Sequence, residues 1–127
     1  MITLSNTDII TASSLPVYVG SDLSLKKVAE LMRLSNAELA TIIQCNVRTV
    51  ERDRPSAKIR ESINPIIYIL KMLWELTNED TQAIQRWLHT PLIEWRGISP
   101  RDCLMKDNLD AVVNLVERIY YGDSAGY

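Results

Sequence analysis

The sequence predicts an all-α protein in which an N-terminal helix-turn-helix bundle packs against a C-terminal helical region. From residue 23 onward, apolar residues recur at three- and four-residue intervals, which is the spacing of an amphipathic helix. Only four glycines occur among the 127 residues, and long stretches lack proline, which disfavours a turn-rich β fold. Serine and asparagine residues precede several of the periodic segments, as expected of helix N-caps.

The chain divides into three regions. Residues 1–22 mix β-branched and small polar residues without a sustained period, so we expect a flexible arm with a short strand around residues 16–19. Residues 23–62 form the helix-turn-helix region, and residues 63–127 form the C-terminal helical region. The first twenty residues lack the basic start of a signal peptide, and no apolar run is long enough to cross a bilayer. We therefore expect a cytoplasmic chain that does not bind a membrane.

The helix-turn-helix prediction depends on two cap signals. A first helix is expected over residues 24–33. Ser35 and Glu38 then have the spacing of a capping box, in which each side chain accepts from the other residue's amide, and this opens the second helix. Asn46 is the next cap candidate and opens a short third helix over residues 47–52. Two short helices about three residues apart indicate a helix-turn-helix.

The segment ELATIIQCNVRTVER resembles the Xre/Cro-type DNA-binding helix-turn-helix. Ala40 is small where the two helices cross, and Val50 lies where the second helix is anchored in the core. The segment departs from the pattern at two positions. Gln44 occupies a turn position often taken by glycine, which raises the cost of a left-handed conformation there. Asp53 stands where an aromatic residue commonly follows, and it would place a negative charge near the DNA phosphates.

Cations cluster around the third helix, although the formal net charge of the chain is -2. If this helix enters a major groove, residues near its N-terminus would reach base edges and the cations that follow would contact phosphates. An equally simple alternative is a helix pair that only packs, with its arginines in solvent. The predicted DNA-binding residues are Asn46, Arg48, Thr49, Arg52, Arg54 and Lys58.

The C-terminal region is predicted to contain four helices. Residues 56–62 are expected to form a loop or single turn. Asn64 and Pro65 then begin a helix that is apolar nearly all round, which makes it either the central helix or a dimer seam. Thr77 or Asn78 is expected to cap the next helix, whose inner face includes Trp87.

A loop over residues 92–98 separates these helices from the last two. Ser99 and Pro100 then begin a short helix, with Ser99 as its cap. Asn108 is expected to cap the final helix, whose inner face includes Ile119. Gly122 is a natural stop for that helix.

No enzyme site is predicted. The single histidine, His89, lies at a helix end, where interaction with the helix dipole accounts for it. No carboxylate pair, nucleophile–base arrangement or glycine-rich phosphate loop is present. Cys45 and Cys103 are far apart and lack metal-ligand spacing, so we expect two small buried thiols in a reducing cytoplasm, no disulfide, no metal site and no cofactor.

The C-terminal stretch resembles a known family. The runs WL at 87–88, TPL at 90–92, GISPRDCL at 97–104 and RIYYG at 118–122 are similar to the C-terminal toxin-binding domain of Xre/MbcA/ParS-type antitoxins. In that family the domain follows an Xre-like helix-turn-helix, as it does here. The resemblance implies a type II antitoxin that forms homodimers, represses its operon and forms a hetero-oligomer with its toxin. The implied partner is a RES-domain toxin, which degrades NAD or transfers ADP-ribose from it.

The resemblance also implies which residues face the toxin. Loop and C-terminal positions rich in aromatic and arginine side chains have the composition of an interface centre. Trp95 lies on a loop, where a core position and an interface position are equally compatible with the sequence. The implied toxin-binding residues are Trp95, Arg96, Gly97, Arg101, Tyr120, Tyr121 and Tyr127. The alternative is a stand-alone DNA-binding regulator that uses its C-terminal domain for self-association.

Overall fold

The all-α prediction is confirmed by the structure, a computed structural model that describes residues 14–122. Its one sheet in that range is an antiparallel hairpin of two-residue strands, β1 (Tyr18–Val19) and β2 (Asp22–Leu23). The helices are α1 (Leu25–Met32), α2 (Asn36–Ile43), α3 (Val47–Arg52), α4 (Ala57–Leu76), α5 (Thr81–Leu88), α6 (Pro100–Met105) and α7 (Leu109–Tyr120).

The segment before α1 is part of the core. Leu15 and Val17 are buried, and the Val17 carbonyl oxygen accepts a hydrogen bond of 2.8 Å from the Ser24 amide. Part of the predicted arm is thus packed in the core, while residues 1–13 lie outside the described residues. Two apolar side chains separated by one residue are too short a pattern to predict burial from sequence.

Helix α4 begins earlier than the sequence predicts. Ser56 is its N-cap, and the Ser56 hydroxyl accepts from the Ile59 amide. Pro65 therefore lies inside the helix, where it cannot donate to the carbonyl oxygen of Glu61. The additional turns bury Ile63 and pack Ile59 against the core, so tertiary contacts outweigh the missing hydrogen bond. The predicted region boundary between residues 62 and 63 falls within this helix.

Helix α4 is the central helix of the chain. Helices α2, α5 and α7 pack against it, and α7 makes the most extensive contact. Tyr68 and Leu76 remain partly exposed on α4. Burying this much apolar surface within one chain is the main stabilising contribution that the sequence offers. The buried residues of α4 are Ile63, Ile66, Ile67, Ile69, Leu70, Met72, Leu73 and Trp74.

The cap of α5 differs from the prediction. Asp80 is the N-cap, and its Oδ1 accepts from the Ala83 amide at 3.1 Å. Thr77 instead ends α4, where its hydroxyl donates to the Leu73 carbonyl oxygen at 2.8 Å. Asn78 has a positive φ of 60° and belongs to the turn between the helices. The connection from α4 to α5 is therefore longer than predicted.

The last two helices follow their predicted starts more closely. Ser99 caps α6, and its hydroxyl accepts from the Asp102 amide at 3.1 Å. Asn108 occupies the N-cap position of α7, but its side chain makes no capping hydrogen bond. Gly122 has a φ of 65° just after the end of α7, as the stop signal predicts.

Candidate DNA-binding and protein-binding surfaces

The helix-turn-helix geometry is confirmed in its local details. The Ser35 hydroxyl accepts from the Glu38 amide at 3.0 Å, and the Glu38 carboxylate accepts from the Ser35 amide at 2.8 Å. Asn46 caps α3, with its Oδ1 accepting from the Arg48 amide at 2.9 Å. Ala40 lies buried on α2, and Val50 anchors α3 in the core. These contacts present α3 on the surface with a fixed orientation.

Gln44 adopts the left-handed conformation that the turn requires. Its φ is 58°, and the following Cys45 amide donates to the Ala40 carbonyl oxygen at 2.9 Å. A residue with a Cβ pays about 1 kcal/mol or more for this conformation. The Gln44 side-chain amide also donates to Asp107 at 3.2 Å, so the turn contacts the loop before α7.

Asp53 has a structural role that the sequence did not reveal. It ends α3 with a φ of 56°, and its carboxylate accepts from the Ser24 hydroxyl and from the Leu25 amide, both at 2.6 Å. The negative charge is thus held at the N-terminus of α1, where the helix dipole favours it. We conclude that Asp53 joins α3 to α1.

The predicted DNA-binding residues lie in and around α3, but they differ in how exposed their side chains are and in whether they already make a hydrogen bond. The side chains of Arg48, Arg52, Arg54 and Lys58 are exposed, and none of them forms an ion pair with another residue of the described range. Thr49 is half-buried. Asn46 is exposed, but its side-chain oxygen is occupied by the cap of α3.

The loop over residues 92–98 is closed on itself. Leu92 and Ile98 form an antiparallel bridge, and the Leu92 amide donates to the Ile98 carbonyl oxygen at 3.1 Å. Between them lies a 3-10 turn, Ile93–Trp95. The Gly97 amide donates back to the Leu92 carbonyl oxygen at 2.8 Å with a φ of 85° at Gly97, a conformation that favours glycine.

The side chains of this loop differ in exposure, and the most exposed one is not among the predicted toxin-binding residues. Trp95 is half-buried and packs against the core. Arg96 and Gly97 are exposed. Ile93, which the sequence analysis did not single out, is 96% exposed. The Glu94 carboxylate lies 3.8 Å from the Arg118 guanidinium, so the loop contacts α7. No periodic pattern runs through a loop, so the sequence offered no signal for Ile93.

Arg101 connects the two regions of the chain. Its guanidinium forms an ion pair with Glu38 of the α2 capping box and another with Asp102 at 2.9 Å. The hydrogen bond from Arg101 lowers the pKa of Asp102. The Arg101 side chain is 28% exposed, so most of it is committed to the junction between α2 and α6.

The end of α7 presents aromatic side chains. Tyr120 is half-buried, packs against the core and donates its hydroxyl to Glu75 at 2.9 Å. Tyr121 is 68% exposed, and its ring lies 5.0 Å from the Tyr120 ring in an edge-to-face arrangement. Ile119, predicted to face inward, is 46% exposed, so that prediction is wrong. The inner face of α7 includes Leu115, which is buried together with Val112 and Val116.

A further tyrosine joins this surface from α4. The Tyr68 hydroxyl donates to Glu117 at 2.6 Å. This hydrogen bond, and a second one shared with Tyr121, raise the pKa of Tyr68. Beside them lies an open depression of about 520 Å³ lined by Asn114, Glu117, Arg118 and Tyr121. Exposed aromatic groups with charged neighbours are the composition of a protein-binding surface.

The single histidine and the two cysteines pack against other parts of the chain. His89 ends α5, and its Nε2 lies 3.0 Å from the Met32 carbonyl oxygen. Cys103 is buried and Cys45 half-buried, and both are free thiols. Burial raises the pKa of each thiol, which lowers the population of the reactive thiolate.

Comparison with known proteins identifies the C-terminal part of the chain. Residues 72–122 match the family model described as the antitoxin Xre/MbcA/ParS C-terminal toxin-binding domain. The matched range begins in α4 and includes the closed loop and all of α7. No curated protein and no solved structure gives a match. No helix within residues 14–122 is long and apolar enough to span a membrane.

The description of the matched family concerns binding to a protein. It supports an antitoxin role in a toxin–antitoxin system and implies a toxin as partner. A toxin-binding domain is a regulatory module, which agrees with a role in binding rather than catalysis. Residues 72–122 of this chain are thus similar to the antitoxin Xre/MbcA/ParS C-terminal toxin-binding domain.

Proposed function

We propose that this chain is the antitoxin of a type II toxin–antitoxin system that neutralises a RES-domain, NAD-consuming toxin. The observation that carries the proposal is the match to a toxin-binding domain at residues 72–122, in a chain that also contains a helix-turn-helix. The RES toxin and its use of NAD follow from the resemblance to Xre/MbcA/ParS antitoxins. In that family the C-terminal part of the antitoxin covers the toxin's NAD pocket.

The proposed toxin-facing surface combines the closed loop with the end of α7. The exposure of Arg96 and Tyr121 supports their assignment, and Gly97 gives the loop its shape. Trp95, Arg101 and Tyr120 act mainly by supporting this surface, because each is partly covered by the rest of the chain. Tyr127 belongs to the same assignment but lies outside the described residues.

We also propose that the helix-turn-helix represses the chain's own operon in the cytoplasm. Arg48 and Thr49 would read base edges from the first turn of α3, while Arg52, Arg54 and Lys58 contact phosphates. The support is four exposed cations that lack ion pairs within the described range. A homodimer would present two copies of α3 to the two halves of a palindromic operator.

Co-expression with the flanking open reading frame tests the proposal. Growth and intracellular NAD are followed with and without this chain, and a tagged chain is used to recover its partner. The expected result is a neighbour that stops growth and depletes NAD, and a chain that restores both and forms a stable complex. A harmless neighbour that does not bind the chain would contradict the antitoxin proposal.

The second candidate is a stand-alone regulator that has no toxin partner. The exposed cations around α3 favour DNA binding whether or not a toxin exists. Strongly salt-dependent binding to a palindromic promoter fragment, with no protein partner recovered, would support this candidate. The co-expression experiment therefore distinguishes the two functions directly.

A further inference from the structure

The tip of the closed loop carries the most exposed large apolar side chain of the described residues. Ile93 is 96% exposed, compared with 68% for Tyr121 and 59% for Val19. A single exposed apolar residue is ordinary on a protein surface. Ile93 differs because the backbone beneath it is hydrogen-bonded into one conformation and because other exposed groups lie beside it.

The loop holds Ile93 rigidly. Besides the bridge between Leu92 and Ile98, the Leu92 carbonyl oxygen accepts from the Trp95 amide at 3.1 Å and from the Gly97 amide at 2.8 Å. The Trp95 side chain packs against the core and anchors the loop to the domain. A side chain on a pre-organised loop loses little conformational entropy when it binds a partner. The loop therefore presents Ile93 in a form suited to association.

The surroundings of the loop define a composite surface. The contact of 3.8 Å between Glu94 and Arg118 places the tip beside α7. Arg118 also lines the open depression, together with Tyr121. Arg96 is exposed on the same loop and forms no ion pair within residues 14–122. An apolar side chain and a cation without an ion pair in that range thus share one loop, and an exposed aromatic ring lies beside the arginine that this loop contacts.

We infer that Ile93 is the apolar anchor of the toxin interface and enters an apolar pocket on the toxin, next to an acidic group that pairs with Arg96. This inference rests on the proposed function. The occupant is assigned as the toxin because Ile93 lies within residues 72–122, the range that matches a toxin-binding domain. Interface hot spots are large side chains that fill a partner's pocket and are surrounded by a polar rim, which is the arrangement here.

Replacing Ile93 with aspartate tests the inference. The full-length chain is used, and its affinity for the purified RES-domain protein encoded beside it is measured by calorimetry, together with rescue of growth. Ile93→Asp should weaken binding about tenfold or more, because burying an unpaired carboxylate in an apolar pocket is costly. Ile93→Leu should bind nearly as well as the wild type.

Val19→Asp is the matched control. Val19 is also an exposed β-branched residue, but it lies in β1 and outside the matched range. This variant should bind the toxin like the wild type. Thermal unfolding of the two Ile93 variants should be close to that of the wild type, because the Ile93 side chain is 96% exposed.

Two results would overturn the inference while leaving the proposed function in place. One is a wild-type chain that binds the toxin and an Ile93→Asp variant that binds it equally well. The other is a change in the chain's own oligomeric state on Ile93→Asp with unchanged toxin affinity, which would assign the tip to a contact between copies. A wild-type chain that does not bind the RES-domain protein would overturn the proposed function and the inference together.

Discussion

The helix-turn-helix region and the C-terminal region expose different chemistry. Around α3 the surface carries four unpaired cations, among them Arg48 and Arg52. Around the closed loop and α7 it carries Ile93 and Tyr121, with charges such as Arg118 paired to neighbouring carboxylates. Free cations favour a polyanion, whereas exposed apolar and aromatic groups favour a protein. The difference supports the proposal that each region has its own partner.

The two regions nevertheless share their framework. Helix α4 runs through both, and Arg101 and Gln44 each join the helix-turn-helix to the segment that leads into α7. The proposal that the two regions bind separate partners can be tested by changing one surface at a time. The variants below are ordered from the largest expected effect to the smallest.

The largest effect is expected for the double variant Arg48→Ala with Arg52→Ala. It removes one side chain assigned to base edges, which should weaken operator binding by roughly 1 to 3 kcal/mol, and one assigned to phosphates, which should weaken it further. The slope of binding against salt concentration should fall as well. Band-shift titrations at several salt concentrations measure both quantities. Toxin neutralisation should be unchanged, and its loss would contradict the separation of the two surfaces.

Truncation after Arg118 tests the other surface. Removing the last turn of α7 and the residues that follow it should weaken neutralisation of the toxin and leave operator binding intact. Tyr120 packs against the core, so the truncated chain needs a control for folding. Tyr121→Ala changes the same surface without this problem, because the side chain is 68% exposed and its loss should not unfold the chain. Growth rescue measures the outcome, and full protection by both variants would remove this surface from the mechanism.

Asp53→Ala should act on stability and on the presentation of α3. Losing two hydrogen bonds to a carboxylate at the N-terminus of α1 should lower the free energy of unfolding by about 2 kcal/mol. Urea denaturation measures the change. Glu51→Ala is the matched control, since Glu51 is an exposed acid on the same helix. Equal stability of the two variants would show that the junction between α3 and α1 contributes little.

The smallest effect concerns the pH dependence of Tyr68. Its pKa is raised, mainly by the hydrogen bond to Glu117, so the folded chain keeps this proton at a pH where the unfolded chain releases it. The resulting stabilisation is present below the ordinary tyrosine pKa of about 10 and is lost as pH rises through the higher folded value. Ultraviolet titration should show a late-titrating tyrosine that is absent from Tyr68→Phe. An identical titration of the two proteins would contradict the prediction.

Short-range patterns determined the local architecture. The capping box of Ser35 and Glu38, the cap at Asn46 and the serine–proline start of α6 all depend on residues within a few positions of one another. The sequence therefore predicted the helix-turn-helix and the helical C-terminal domain. Its runs from Trp87 to Gly122 also indicated the toxin-binding domain that the comparison then matched over residues 72–122.

Contacts between distant residues decided the rest. The Asp53 carboxylate accepts a hydrogen bond from the Ser24 hydroxyl, 29 positions earlier, and no local sequence pattern predicts such a pair. Helix α4 extends back to Ala57 because its added turns bury apolar side chains, which outweighs the proline signal at Pro65. The opposite placements of Ile93 and Trp95 depend on which side of a closed loop meets the core. Burial is a property of the packed chain, so only the tertiary structure could distinguish the exposed isoleucine from the covered tryptophan.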